Sequence, residues 1–331
     1  MDHLKEKKKG DNNMFKRKAR ARDRSALNSE LITRPIKKKV WLFLIPTFIC
    51  FIIGFVWPFA SGIYLSFTKF KLIREALFIP LNKIPSVFVG LSNYVRAFQD
   101  ASFRKAFTYT ASYAVVSVLI INIFAFFLAY LLTQKIKGSN LFRAVFFMPN
   151  LIGGIVLAYI WQLLFNGILI RYNTYLTANA TYGFWGLVIL MAWQQIGYMM
   201  IIYIAGFQSV SEDILEAARI DGANKMQTLF KVIVPNMMST ITVCTFLALT
   251  NSFKLYDQNL ALTAGYPVIT GPDGTQIKMT EMLALNISSS FGKINAWAKG
   301  TAQAKAVIFF IMVALISTLQ LRFTKSKEVQ Q

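Results

Sequence analysis

The sequence has little of what most soluble enzymes use for chemistry. Its 331 residues include one histidine, His3, and two cysteines, Cys50 and Cys244. Both cysteines fall inside long apolar runs, where cysteine packs as a small hydrophobe, so neither a disulfide nor a cysteine metal site is expected. His3 lies in a basic N-terminal tail and offers no metal site. Acidic residues number 15 against 36 lysines and arginines, a formal net charge of +21. There is no Gly-x-x-x-x-Gly-Lys-Ser/Thr phosphate loop, which excludes nucleotide binding by that route. Nucleophile-elbow, zinc-helix and dinucleotide glycine motifs are missing, and no acid–base cluster replaces them. The chain is therefore not expected to be an enzyme by itself. No internal repeat is visible, so the inverted-repeat architecture of secondary transporters gains no support.

What is abundant is apolar residue types, 55% of the total, arranged in long runs almost free of charge. That pattern reads as an all-α polytopic membrane protein. Six spans are predicted, at 40–67, 107–133, 142–165, 182–207, 238–261 and 302–323, each near the roughly 20 residues needed to cross a bilayer. Pro46 and Pro58 are read as kinks within the first.

The charge distribution sets an expected orientation. Residues 1–39 form a basic, apolar-poor arm, expected to be disordered. Its run from Phe15 to Arg22 would pass alone as a nucleic-acid-binding arm. Lys37, Lys38 and Lys39, however, abut the first span, which favours contact with anionic lipid and no nucleic-acid partner. No cleavable signal peptide is expected. An even number of spans puts both ends on one side. Lys135, Lys137 and Arg143, then Arg219, Lys225 and Lys231, then Arg322 with Lys325 and Lys327 of the 324–331 tail, all join the arm in the cytoplasm. The long loop carrying Lys69, Lys71, Arg74, Lys83, Arg96, Arg104 and Lys105 runs against this count, but the rule weakens as loops lengthen.

Between the fourth and fifth spans, 208–236 is a polar interruption with the grammar of two short helices. Ser211 is placed to cap the first, and Glu212 and Asp213 put negative charge in its opening turn. Gly222 permits a sharp turn. Asn224 and Gln227 form a capping box for the second helix, with Met226, Leu229, Phe230 and Ile233 on one face and Pro235 as its stop. On grammar alone this is an amphipathic loop between spans. The order Glu216-Ala217-Ala218, two residues, Asp221-Gly222-Ala223, then Phe230, Ile233 and Pro235 resembles the EAA loop of ABC importer permeases, which docks on the ATPase subunit. In that family the alanines allow close helix approach, the glycine makes the bend, and acids such as Glu216 and Asp221 make polar contacts at the interface.

Further stretches are similar to the carbohydrate branch of that family. Gly90-Leu91-Ser92-Asn93-Tyr94, followed by Phe98, Asp100, Phe103 and Ala106, looks like its segment after the first span. Phe142-Arg143 through Pro149 looks like its approach to the third span. Ser252-Phe253-Lys254, Asp257 and Leu262-Thr263-Ala264-Gly265-Tyr266-Pro267 resemble a sugar-permease motif, with Tyr266 where glycine is usual. Thr280-Glu281-Met282 and Gly300-x-Ala302-x-Ala304 also match, and Lys305 stands where an uncharged residue is commoner. Trp161 reads better as an interface anchor.

Polar groups at membrane depth mark candidate pathway residues. Trp193, Gln194 and Tyr198 in the fourth span, with Asn251, Lys254, Tyr256 and Asp257 around the fifth, supply the aromatic faces and amides that a sugar needs. Gln194 and Tyr198, four apart, share a face with Trp193 to its side. The glutamines serve equally as interhelical hydrogen-bonding glue. Lys254 and Asp257, three apart, are expected to share a helix face, either as an internal ion pair or as substrate contacts. The alternatives to a sugar importer are a stand-alone secondary transporter or channel driven through that pair and an ABC importer for a non-sugar solute.

The resemblance implies the six-span type I ABC importer permease fold in a bacterial cell membrane. It implies a second, homologous permease, two ATPase subunits that use ATP and Mg²⁺, and an extracytoplasmic binding protein delivering a sugar or oligosaccharide. No cofactor is implied for this chain.

Overall fold

The computed structural model describes residues 42–73, 77, 87–134, 136–271, 274–293 and 295–326. The basic arm with His3, and Arg74, Lys83, Lys135 and Lys327, lie outside the described residues. The chain divides at Gly62 and Ile63 into two compact units.

Helix α1 spans Leu42–Ser66. In the part that belongs to the first unit, Phe51, Phe55 and Phe59 stack with ring centroids 5.3 and 6.3 Å apart. Ile52–Val56 winds as a π-helix just before Pro58. The wider turn accommodates a residue that has no N–H to give, so the helix runs on through it.

The second unit contains α2 (Ser92–Gln99), α3 (Ala101–Thr133), α4 (Ser139–Phe147), α5 (Gly154–Leu169), α6 (Ala180–Ser209) and α7 (Glu212–Ile220). Then come α8 (Lys225–Asn236), α9 (Met238–Phe253), α10 (Asp257–Leu262), the strands β1 (Val268–Thr270) and β2 (Gln276–Lys278), α11 (Leu283–Phe291) and α12 (Ala296–Lys325). The strands pair antiparallel with Ile269 opposite Ile277, a small departure from an all-helical chain. Among the described residues, five helices are long and apolar enough to cross a membrane: α1, α3, α5 with its extension to Tyr172, α6 and α12. A sixth crossing is available only if α8 and α9, bent by 72° at Met237, count as one broken span. The molecule is a multi-pass helical membrane protein.

Two of the expected spans are interrupted. The 142–165 segment is not one helix: α4 ends at Phe147, Met148–Leu151 forms a 3₁₀ turn around Pro149, and α5 starts at Gly154. Proline fixes φ and removes a donor, and Ile152 behind it is extended. The expected 238–261 span ends early, because α9 stops at Phe253 and α10 restarts at Asp257. Pro235 also does not end its helix at once, since α8 runs to Asn236 before the bend.

Packing in the second unit rests on small residues, as expected where apolar area alone cannot drive helix association. α3 buries Ala106, Ala114, Ser117, Ala125 and Ala129, and α6 buries Gly183, Gly186, Gly197 and Gly206. At Gly197 the end of α4 crosses α6 so closely that a Cβ would overlap the Phe146 carbonyl. At Gly206 it would press on Thr240 and Met237 next to the α8–α9 bend. Gly197→Ala is therefore expected to cost about 1–3 kcal/mol through forced separation of α4 from α6. Gly153→Ala, which meets open space, is the control. Thermal unfolding in detergent should show a drop of several degrees for the first and none for the second.

Candidate functional site

The 208–236 loop is held by bonds within itself. Val210 and Ser211 are extended, and α7 opens with Glu212 and Asp213 at its positive end. Ser211 occupies the N-cap position but its hydroxyl makes no capping bond, so the expected serine cap is replaced by first-turn charge. At the other end Gly222 takes φ +77°. The Ala223 N–H bonds the Ala218 carbonyl at 3.0 Å and the Gly222 N–H bonds that of Arg219 at 3.1 Å. This is the left-handed cap that glycine supplies without strain. Asn224 and Gln227 form the expected capping box, both bonds at 2.9 Å.

The two faces of α7 differ. Leu215 and Arg219, four apart, border a cleft of about 540 Å³ shared with Tyr130, Gln134, Gln208, Lys225 and Thr228. Ala218 is buried, while Glu216, Ala217 and Asp221 are exposed and Ile220 is 86% exposed. Of the face expected on α8, Leu229 is buried and Ile233 partly so, whereas Met226 and Phe230 are exposed and border an apolar groove against α3. Pro235 is half-buried beside the bend.

The fourth-span glutamines act as hydrogen-bonding glue within this chain. Gln194 is buried; its Nε2 donates to the Ile152 carbonyl at 3.3 Å and its Oε1 accepts from Gln258 Nε2 at 3.0 Å. Gln195 Oε1 accepts from Asn251 Nδ2 at 3.1 Å. Trp193 is exposed and packs edge-on against Trp161 at 5.5 Å, and Tyr198 is half-buried in the α3–α6 core. The Tyr256 hydroxyl accepts from Ser288 at 3.4 Å.

Lys254 and Asp257 do not share a helix face. Lys254 caps α9 and Asp257 opens α10, both side chains are exposed, and no ion pair joins them. The break after Phe253 removes the helical spacing that the expected pair required. A transporter driven through an internal Lys254–Asp257 pair thus loses its structural basis.

Buried charge is found elsewhere. Lys305 of α12 has a side chain only 2% exposed, with Nζ donating to Asp100 Oδ2 (2.7 Å), Ser290 Oγ (2.9 Å) and Asn286 Oδ1 (3.1 Å). Glu281 is buried next to it and accepts from Asn286 Nδ2 (2.8 Å) and Ser289 Oγ (2.9 Å), with Lys278 at 3.8 Å. Asp100 also accepts the Ser102 N–H at 2.9 Å as the N-cap of α3. Close by, Asn259 ties α10 to the loop before α11, donating to the Thr280 carbonyl at 2.7 Å and accepting the Met282 N–H at 2.9 Å. The sequence reading treated Lys305 as an oddity and did not pair it. The available signal was that a lysine inside an apolar helix needs an acid, and Asp100 was already singled out nearby in the motif after the first span.

The profile of the family described as "Binding-protein-dependent transport system inner membrane component" matches residues 121–328. The chain belongs to this family. The permease is 41% identical over 298 residues to a protein of Thermoanaerobacterium thermosulfurigenes named "Probable starch degradation products transport system permease protein AmyD", covering 88% of this chain and 95% of that one. It is 29% identical to the "Multiple sugar-binding transport system permease protein MsmF" of Streptococcus mutans, over 87% and 96% of the two chains. Its fold matches a chain from the crystal structure of "a bacterial ABC transporter involved in the import of the acidic polysaccharide alginate". The TM-score is 0.67 at 16% identity, covering 89% of this chain and 98% of the other. The matched family region contains the EAA-like loop, Gln194, Gln195 and Lys305 of the permease; Asp100 lies before it.

Burial alone would raise the Asp100 carboxyl, but the hydrogen bond and charge of Lys305, the Ser102 N–H and the charge of Lys293 outweigh it and hold the group below its ordinary range. A carboxyl lowered in the folded state contributes stability above its unfolded pKa and loses it as pH falls through the folded one. Asp100→Asn should therefore destabilise the permease by on the order of 2 kcal/mol at neutral pH. That is less than the loss from a fully buried pair, because Asp100 keeps 29% exposure. Adding Lys305→Met should recover part of the loss. The gap between wild type and Asp100→Asn in thermal melts should stay constant through neutral pH and close only below the ordinary carboxylate range.

Proposed function

We propose that this permease is the membrane-spanning half of a sugar or oligosaccharide importer driven by a separate ATPase. The observation that carries the reading is the exposed face of α7. Glu216, Ile220 and Asp221 stand exposed on a short helix whose C-terminal end is locked by its own backbone bonds. A large aliphatic side chain left 86% exposed beside two acids is a docking surface rather than a folding element. With the family's loop order it supports an ATPase on that side. The sugar assignment is supported by the names of the AmyD and MsmF relatives, which cover nearly the whole chain.

In this reading the loop side and both termini face the cytoplasm, residues 1–39 form a cytoplasmic arm, and 40–323 is the permease domain of a bacterial cell-membrane protein. The chain works with a second permease, two ATPase subunits that use ATP and Mg²⁺, and an extracytoplasmic binding protein. It holds no cofactor and hydrolyses nothing itself. Nucleotide-driven closure of the ATPase pair moves the locked α7–α8 unit, and the 72° joint at Met237 passes that movement to α9. Trp193, Gln194, Tyr198, Asn251, Lys254, Tyr256 and Asp257 are the proposed lining of the sugar path. In it, breaking and remaking the bonds among Gln194, Gln195, Asn251 and Gln258 accompanies the change of access.

The test is co-purification of the assembled transporter after detergent extraction. Ile220→Asp alters an exposed side chain and should leave the fold intact, yet lose the ATPase while keeping the second permease. Gly222→Pro, which cannot adopt the left-handed turn, should do the same. Retention of a full ATPase complement by both variants would overturn the docking assignment.

A further inference from the structure

The cleft beside α7 is bordered by Leu215, Arg219 and Ala223, and not by Glu216, Ile220 or Asp221 of the proposed docking face. Its polar lining is unusual in sign. Arg219 and Lys225 both border it, as do the amides Gln134 and Gln208, and no acidic side chain does. Arg219, Lys225, Gln134 and Gln208 are exposed at the rim of the cleft, and among the described residues none has a protein hydrogen-bond or ion-pair partner for its side chain. The hydroxyls of Thr133 and Thr228 are turned to their own backbones. Two unpaired cations and two unpaired amides around about 540 Å³ are suited to a phosphate, which accepts on several oxygens and carries the missing charge.

The surroundings favour a phosphate attached to a lipid. The cleft lies where α3 and α6 end, at Thr133 and Ser209. Basic pockets between membrane helices at the cytoplasmic surface suit anionic headgroups. Tyr130 forms a wall of the cleft and also of an apolar groove of similar volume that follows α3 back to Asn122. Eight helical residues separate those two positions, a rise of roughly 12 Å into the membrane. Phe126, Phe127, Phe230 and Val234 line that groove. A headgroup in the cleft thus has an acyl-chain channel beside it.

We infer that Arg219 and Lys225, with Gln134 and Gln208, form a site for the phosphate headgroup of an anionic phospholipid. The lipid would wedge between the spans and the α7–α8 unit, next to the joint that moves α9. The inference rests on the cytoplasmic placement of α7 and α8 proposed above.

Native mass spectrometry of the assembled, detergent-purified transporter tests it. Titration with phosphatidylglycerol should give a saturating adduct at concentrations where phosphatidylcholine gives none. Arg219→Gln combined with Lys225→Gln should weaken that adduct about tenfold, whereas Arg104→Gln, an exposed cation at the far end of α3, should not. Equal binding by the double variant overturns the site, as does equal loss in Arg104→Gln, which would mean diffuse charge attraction. Displacement of the adduct by millimolar inorganic phosphate would assign the cleft to a free anion and overturn the lipid. The same spectra report whether the ATPase is bound, so a complex that carries ATPase but no lipid counts against this site alone. A complex without ATPase counts against the importer reading.

Discussion

A helix that breaks at membrane depth frees backbone groups that lipid cannot hydrogen-bond, and the rest of this fold depends on side-chain amides that satisfy them. An unsatisfied group there costs several kcal/mol. The break at Pro149 is answered by Gln194, which reaches from α6 to the Ile152 carbonyl. The end of α10 is answered by Gln162 of α5, whose Nε2 donates to the Leu262 carbonyl at 2.9 Å. Asn259 serves the turn before α11 in the same way. These amides let the chain bend where a continuous helix would otherwise be obligatory, and the bends bring polar groups together in an otherwise apolar interior.

The loop between α6 and α9 follows a different rule. It closes its own helix ends with the Gly222 turn and the Asn224–Gln227 box. Leu215 and Ile233 seat it on the core of α3 and α6, and its outer face is exposed. Stiffness inside the loop and a sharp bend at its junction with α9 are what a lever requires.

The Lys305 cluster joins α12 to the start of α3 and to α11 through charge-assisted bonds. A lysine so deeply buried is tolerable only because every proton on its ammonium has an acceptor. With Gly300 packed against the Thr68 carbonyl and Asn93, these contacts make the region around the α12 N-terminus a tightly fitted block.

The EAA-like loop was legible in the sequence because local rules govern it: capping, glycine turns and first-turn charge act over a few residues. That the chain is multi-pass was legible because length and apolarity decide it, whereas a sixth crossing depends on α8 and α9 forming one bent span. Where the spans break was not, since Pro149 and Lys254 are compatible with either a kink or a stop, and only the partners offered by other helices decide between them. The pairing of Lys254 with Asp257 failed for that reason, as helical spacing means nothing across a break. Lys305 with Asp100, and Gln194 with Ile152, are separated by 205 and 42 residues. By itself the sequence determined class and the form of the loop. Tertiary structure decided which buried polar groups meet, because that depends on how helices distant in the chain cross, and small residues such as Gly197 set those crossings.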